Sequence, residues 1–171
     1  TTHNSSSAAS DVYKRQLLLK FEKLSVLVVG DLIVDEYISC EPLGMSQEDP
    51  TLVVRPVDNK RFIGGAGIVA AHASGLSGKS ALLSVVGADA EADFARNSLE
   101  HCKVRTKLFE DATRPTTLKT RYRCQGKTLL RVSRLNQMAP VPEISEQILN
   151  AVQDQKSKVD LVIFSDFNYG V

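Results

Sequence analysis

Between residues 61 and 80 the chain reads RFIGGAGIVAAHASGLSGKS, and two glycine patterns inside it have spacings that elsewhere cradle phosphates. The second, ASGLSGKS at 73–80, satisfies a relaxed Walker A pattern with Ala73 in place of the first glycine. Such a loop works when a strand enters it and a helix leaves it, because the helix N-terminus and the loop N–H groups hold the anion. Here a helical composition precedes Gly78 and a strand-like one follows Ser80. The order is reversed, and the stretch reads as a helix C-cap with a surface lysine. The first pattern, GAGIVA at 65–70, matches the dinucleotide fingerprint, and Asp89 lies about 20 residues downstream, where a ribose-binding acid would sit. Its weak point is the segment VDNKRFI, which is polar where the fingerprint needs a buried parallel strand. This reading requires a central parallel strand over 52–63, and a separate antiparallel sheet there would exclude it.

Other residue types invite chemistry at fewer places. Asp31 and Asp35 follow the first apolar run in GDLIVDEY, Asp166 follows the last in DLVIFSDF, and Lys119, Arg121 and Arg123 alternate along one face of a strand-like segment. Cys40, Cys102 and Cys124 stand singly, and the three histidines have no metal-ligand spacing. Neither a disulfide framework nor a metal site is expected. With 21 basic and 20 acidic residues the net charge is +1, which leaves no electrostatic footprint for nucleic acid or an anionic membrane. The longest apolar runs are far shorter than the ~20 residues of a membrane span. A soluble cytoplasmic chain with a small-molecule partner is the expectation.

These residues need elements to position them. LSVLVVGDLIV at 24–34 reads as a strand buried on both faces that ends at a site. EYISC and TLVVRPV, within 36–63, read as short half-exposed antiparallel strands. Residues 66–76 form a small-residue helix, SALLSVVG is a second buried strand, and DAEADFARNSLEHC is a helix with an acidic first turn. Residues 116–135 alternate on both sides of CQGK and form a hairpin near Gly126. PEISEQILNAVQ is a third helix and VDLVIFSDF a third buried strand. The first 16 residues are polar and Ser-rich, and 1–16 reads as a disordered or non-native leader.

The succession of GDLIVDEY (30–37), SQEDPTLVV (46–54), IGGAGIVAAHASGL (63–76), RPTTLKTRYRCQGKTLLRVSR (114–134) and DLVIFSDFNYG (160–170) resembles the N-terminal half of the ribokinase-like (PfkB) carbohydrate kinases. Within that family it is most similar to the heptose 7-phosphate kinases. The resemblance implies an α/β fold over 17–171, a parallel sheet flanked by helices, with a small antiparallel β lid built from about 36–63 and 116–135. It implies transfer of the ATP γ-phosphoryl group, with Mg2+, to a hydroxyl of a sugar or sugar phosphate, and a homodimer formed through the lid.

It also places Gly64, Gly65 and Gly67 against the sugar, where a residue without a side chain lets backbone N–H groups approach hydroxyls. Asp35 and Asp166 fall in the substrate pocket, as does Asp31, for which the stronger alternative is an acid that satisfies the N–H groups of a neighbouring loop. Lys119 and Arg121 fall on the substrate's existing phosphate, the alternative being basic residues merely solvated on an exposed face. No catalytic residue is expected within the chain. The family's catalytic Asp, in a Gly-Ala-Gly-Asp turn, and most of its nucleotide site would lie beyond Val171, so the chain alone is expected to be an inactive fragment. Two departures loosen the substrate assignment: Ile68 replaces an Asn that contacts sugar hydroxyls, and FNYG lacks a Lys. A non-catalytic sugar-binding or dimerising module therefore stands as a third reading.

Overall fold

The computed structural model describes residues 5–171, with side chains from residue 11 onward. In chain order its elements are α1 (Ser5–Phe21), β1 (Ser25–Gly30), β2 (Leu32–Met45), β3 (Leu52–Gly65), α2 (Ala66–Leu76), β4 (Lys79–Val86), α3 (Ala90–His101), β5 (Arg105–Glu110), β6 (Thr117–Cys124), β7 (Lys127–Arg134), α4 (Pro142–Lys156) and β8 (Leu161–Ser165). They build an α/β fold with two sheets. The core sheet has the order β5-β4-β1-β8, and every pairing in it is parallel.

The continuous apolar character of β1 follows from burial on both faces. Val26 and Val28 pack with Ala66 and Ala70 of α2 and Ala92, Ala95 and Leu99 of α3. Leu27 and Val29 point the other way, onto Ile148 and Ala151 of α4. Full burial of a side chain such as Leu27, 0% exposed, contributes about 1.5–3 kcal/mol. Local signals set the helix ends: Asp89 caps α3 by accepting the Ala92 N–H at 3.0 Å, and Pro142 opens α4.

The apolar run 24–34 is two strands, not one. Gly30 has φ 152°, and a β-carbon there would come within 2.1 Å of the Ser165 carbonyl oxygen, so only glycine allows the chain to leave the core sheet beside β8. Ser84, fully buried, spans the break by accepting the Leu32 N–H at 3.0 Å and donating to the Gly30 carbonyl at 2.6 Å. Beyond it β2 enters a second, mixed sheet of order β3-β2-β6-β7. There β2 is antiparallel to β3 and parallel to β6, and β6 is antiparallel to β7. The segments 36–63 and 116–135 thus lie in one sheet, and its long strands replace the short pieces expected from the sequence. Gln125 and Gly126 close the β6–β7 hairpin with φ 49° and 80°, the two positive values of a type I′ turn.

Two expectations are corrected. Of the two alternatives for the leader, disordered or non-native, the first is set aside by a helix from Ser5 through Phe21, which forms because AASDVYKRQLLLK is rich in Ala, Leu, Lys, Arg and Gln, all strong helix formers. Residues 1–4 lie outside the described residues. The strand expected to be buried at 159–167 is shorter and half exposed: β8 pairs only with β1 among the described residues, and Phe164 is 71% exposed. An apolar run reports the capacity for burial, while burial itself depends on neighbours on both sides.

Candidate functional site

The site lies where the two sheets meet. Gly64 and Gly65 end β3 and hand the chain to α2, with Gly65 at φ 54° and ψ −136° as its N-cap. A β-carbon on Gly65 would sit 2.2 Å from the Asp31 carbonyl oxygen, and one on Gly64 would sit 2.3 Å from Asp35 Oδ2. The double glycine therefore brings the Asp35 carboxylate directly over the turn. Across β2 and β6, Asp35 pairs in register with Lys119 and Tyr37 with Arg121. Because side chains alternate with period two, Asp35, Tyr37, Ser39, Lys119, Arg121 and Arg123 share one face.

That face forms the wall of a cavity of about 970 Å³. One region holds Gly64, Gly65 and Asp35. A second is basic, with Lys60, Lys119, Arg121 and Arg123, and a third, with Ile33, Phe62, Ile68 and Phe167, is apolar. Arg121 donates to Asp35 Oδ1 at 2.5 Å, each side chain 22% exposed. The bond to Asp35 raises the Arg121 guanidinium above its ordinary value, against the opposing effect of burial. The guanidinium also lies 5.2 Å from the Tyr37 ring centroid. Lys119 Nζ lies over the Phe167 and Tyr169 rings, at 5.6 and 4.8 Å, geometry suited to cation–π attraction. Arg123 donates through one terminal nitrogen to the Gly126 carbonyl at 2.7 Å, while its buried Nε has no partner among the described residues.

Three of the candidate residues lie off this wall. Asp31, 2% exposed, is not on the cavity wall. Its carboxylate accepts the N–H groups of Phe167 at 2.7 Å, Tyr169 at 3.1 Å and Val171 at 3.2 Å, so its charge is consumed in shaping the loop after β8. Arg114 holds the same loop by donating to the Tyr169 carbonyl at 3.1 Å and to the Met138 carbonyl. Asp166 is exposed, lies off the wall and accepts the Asn168 N–H at 2.6 Å in a local turn. Gly67 also lies off the wall. A β-carbon there would meet Leu32 Cδ1 at 2.7 Å, so its smallness serves helix-to-sheet packing.

The dinucleotide reading is overturned by two findings. Residues 52–63 belong to β3, antiparallel in the second sheet, and Asp89 is occupied with the Ala92 and Thr116 N–H groups. Likewise, α2 precedes and β4 follows the ASGLSGKS stretch, the reverse of a phosphate loop. Lys60, Tyr37, Phe62 and Phe167 were missed from the sequence. Tyr37 could have been found by alternation from Asp35, whereas Phe167 arrives through a loop defined by long-range contacts of Asp31 and Arg114.

Beneath the cavity, Glu36 faces the opposite side of the second sheet. Its carboxylate accepts from Asn59 and Arg61 at 2.9 Å each and from the Thr120 hydroxyl at 2.8 Å. Arg61 and Arg134 reach Glu91 of α3 at 3.9 and 2.9 Å, which ties this sheet to the core.

A family model described as pfkB family carbohydrate kinase matches residues 23–166. The chain is 36% identical over 152 residues to the D-beta-D-heptose 7-phosphate kinase of Bordetella bronchiseptica, covering 89% of this chain and 48% of that protein. It is 34% identical over 152 residues to the bifunctional protein HldE of Desulfatibacillum aliphaticivorans, covering 88% of this chain and 31% of that protein. The chain thus spans about a third to a half of the length of these curated relatives. Among solved structures, a carbohydrate kinase from Agrobacterium tumefaciens superposes with a TM-score of 0.65 at 15% identity, over 82% of this chain and 45% of that one. Ribokinase from Giardia lamblia gives 0.55 at 14% identity, over 83% and 42%. At these identities the structural likeness concerns the fold.

Proposed function

The chain belongs to the pfkB family of carbohydrate kinases, and from that premise we propose that its cavity is the acceptor side of a sugar kinase, holding a phosphorylated sugar of the heptose 7-phosphate class. The observation that carries this reading is the charge pattern of the wall: four basic side chains accompany one carboxylate, Asp35, which stands over the double glycine. An ionised carboxylate accepts hydrogen bonds from sugar hydroxyls, and the backbone at Gly64 and Gly65 is open to close approach. The surplus of positive charge suits an anionic substituent on the same molecule. Arg121 is engaged by Asp35, so it orients the carboxylate, while Lys119 and Arg123 are the groups placed for the substrate's own phosphate. The Bordetella relative's name, a heptose 7-phosphate kinase, supports the same class.

The phosphoryl donor in this reading is ATP with Mg2+, a group the described residues do not fit. No cluster of three His, Cys, Asp or Glu side chains that could hold a metal occurs among them. The double-glycine turn that leads into α2 faces the Asp35 carboxylate, which repels a polyphosphate. No transfer step is therefore assigned to these residues; their part is to bind, orient and partly desolvate the acceptor.

Calorimetry with D-glycero-D-manno-heptose 7-phosphate and with the unphosphorylated heptose tests the reading. Binding of the phosphate ester at least tenfold tighter is expected, with most of the difference lost in a Lys119→Ala, Arg123→Ala double variant. Equal affinity for the two sugars would remove the phosphate from the proposal.

A further inference from the structure

The apolar part of the wall has no role in holding hydroxyls or a phosphate. Ile68 stands in the first turn of α2, and it is not one of the α2 residues buried in the core, which are Ala66, Gly67 and Ala70. It lines the cavity beside the double glycine, where Ile33 of β2 joins it. Phe62 of β3 is held edge-on to Tyr37, with centroids 5.8 Å apart and an interplanar angle of 75°. Phe167 is fixed in three ways: its N–H by Asp31, its ring against Tyr169 at 6.4 Å and 18°, and its face by the Lys119 ammonium. These side chains keep a large exposed area, 53% for Phe62 and 46% for Phe167, although the backbone around them is firmly tied.

None of the four can donate or accept a hydrogen bond. A ligand hydroxyl turned toward them would give up water without replacement, whereas a C–H group would gain contact with aliphatic and aromatic surface. We infer that Ile68 and Phe167 are specificity-determining residues, and that the cavity selects a phosphorylated sugar presenting a deoxy carbon, free of hydroxyl, toward the first turn of α2. This rests on the acceptor-site reading and narrows it from sugar phosphates like heptose 7-phosphate to those that carry a deoxy carbon on the face that meets α2. The same wall explains how a cavity with Ile68 at this place dispenses with a polar partner there: the ligand has no hydroxyl to satisfy.

The test uses D-mannose 6-phosphate and its 2-, 3- and 4-deoxy analogues as probes of the 171-residue chain, with affinities read by calorimetry and contacts by saturation-transfer NMR. One deoxy analogue is expected to bind about tenfold tighter than the parent, the scale on which an apolar pocket discriminates a hydroxyl. Saturation of isoleucine methyl and aromatic protons should reach the hydrogens on that deoxy carbon. Ile68→Asn should cancel or reverse the preference, and Ile68→Leu, which keeps the surface apolar, should preserve it with an unchanged thermal transition. If the four probes bind equally, or if Ile68→Asn leaves their order unchanged, the inference is overturned while the acceptor site stands. If no sugar phosphate binds the wild-type chain, the acceptor-site reading falls and the inference with it.

Discussion

Gly64 and Asp35 occupy the same space in the sense that matters for a binding site: a β-carbon on the glycine would lie 2.3 Å from Asp35 Oδ2. The strand carrying the glycine and the strand carrying the acid are thereby fused into one polar surface. Gly64→Ala should expel the carboxylate from this position and break its bond to Arg121, reproducing the effect of Asp35→Ala. Each variant is expected to lose about 1.5–3 kcal/mol of sugar affinity, the worth of a hydrogen bond to a charged group. Calorimetry measures it, and wild-type affinity in Asp35→Ala would take that residue out of the site.

Asp31 and Asp166 look equivalent in sequence and should behave oppositely. Asp31→Ala leaves three N–H groups of the loop 167–171 without their acceptor, and one unmet buried group alone costs about 1–3 kcal/mol. A clear fall in the urea midpoint is expected. Asp166→Ala, which removes an exposed turn contact, should leave the unfolding free energy within about 0.5 kcal/mol of wild type and sugar affinity within twofold. A large affinity loss in Asp166→Ala would return that residue to the site.

Stability should fall in acid because three carboxylates are held below their ordinary values. For Glu36, burial acts to raise it, but hydrogen bonds from Asn59, Thr120 and Arg61 and the Arg61 charge outweigh this and lower it from 4.5. Asp89 is lowered from 3.8 by the Thr116 and Ala92 bonds despite burial, and Asp111 from 3.8 chiefly by the Thr113 hydroxyl. With folded values below unfolded ones, the native state binds fewer protons, so this stability is fully present above about pH 4.5 and is lost as pH falls through the lowered values. Urea titrations from pH 7 to 3 read the slope. Glu36→Gln should be less stable at pH 7 and less acid-sensitive, and an unchanged slope would show that Glu36 does not drive the effect.

The second sheet has open edges at β3 and β7 and a far end carrying Leu43, Met45, Leu52 and Val53, which are 61%, 64%, 48% and 40% exposed. Such edges and apolar ends pair with a second copy unless charged or covered. The chain is expected to be a dimer at micromolar concentration in light scattering, and a Leu52→Lys, Val53→Lys double variant a monomer. A monomeric wild-type chain would count against association through this sheet.

Much of the architecture was legible because it is local. Period-two alternation, the glycine at 126, the acidic first turn after Asp89 and Pro142 each describe physics within a few residues, and the corresponding hairpin and helices form where expected. Asp35, Gly64 and Gly65, which the family resemblance singled out, line one cavity.

What the sequence could not decide was direction and partnership. The run LSVLVVGDLIV is apolar throughout, yet Gly30 turns it out of one sheet and into another because the Ser165 carbonyl leaves no room for a β-carbon. Asp31, Asp35 and Asp166 differ little by residue type. Tertiary contacts make the first a loop anchor, the second a cavity acid and the third a surface turn, since a carboxylate's role depends on which N–H groups or cations reach it first. Arg121 is committed to Asp35, and Phe167 is held at the cavity wall in part by a hydrogen bond from its backbone N–H to an acid 136 residues away. Composition and spacing determined which chemistry this chain has available, and long-range packing decided where each group is used.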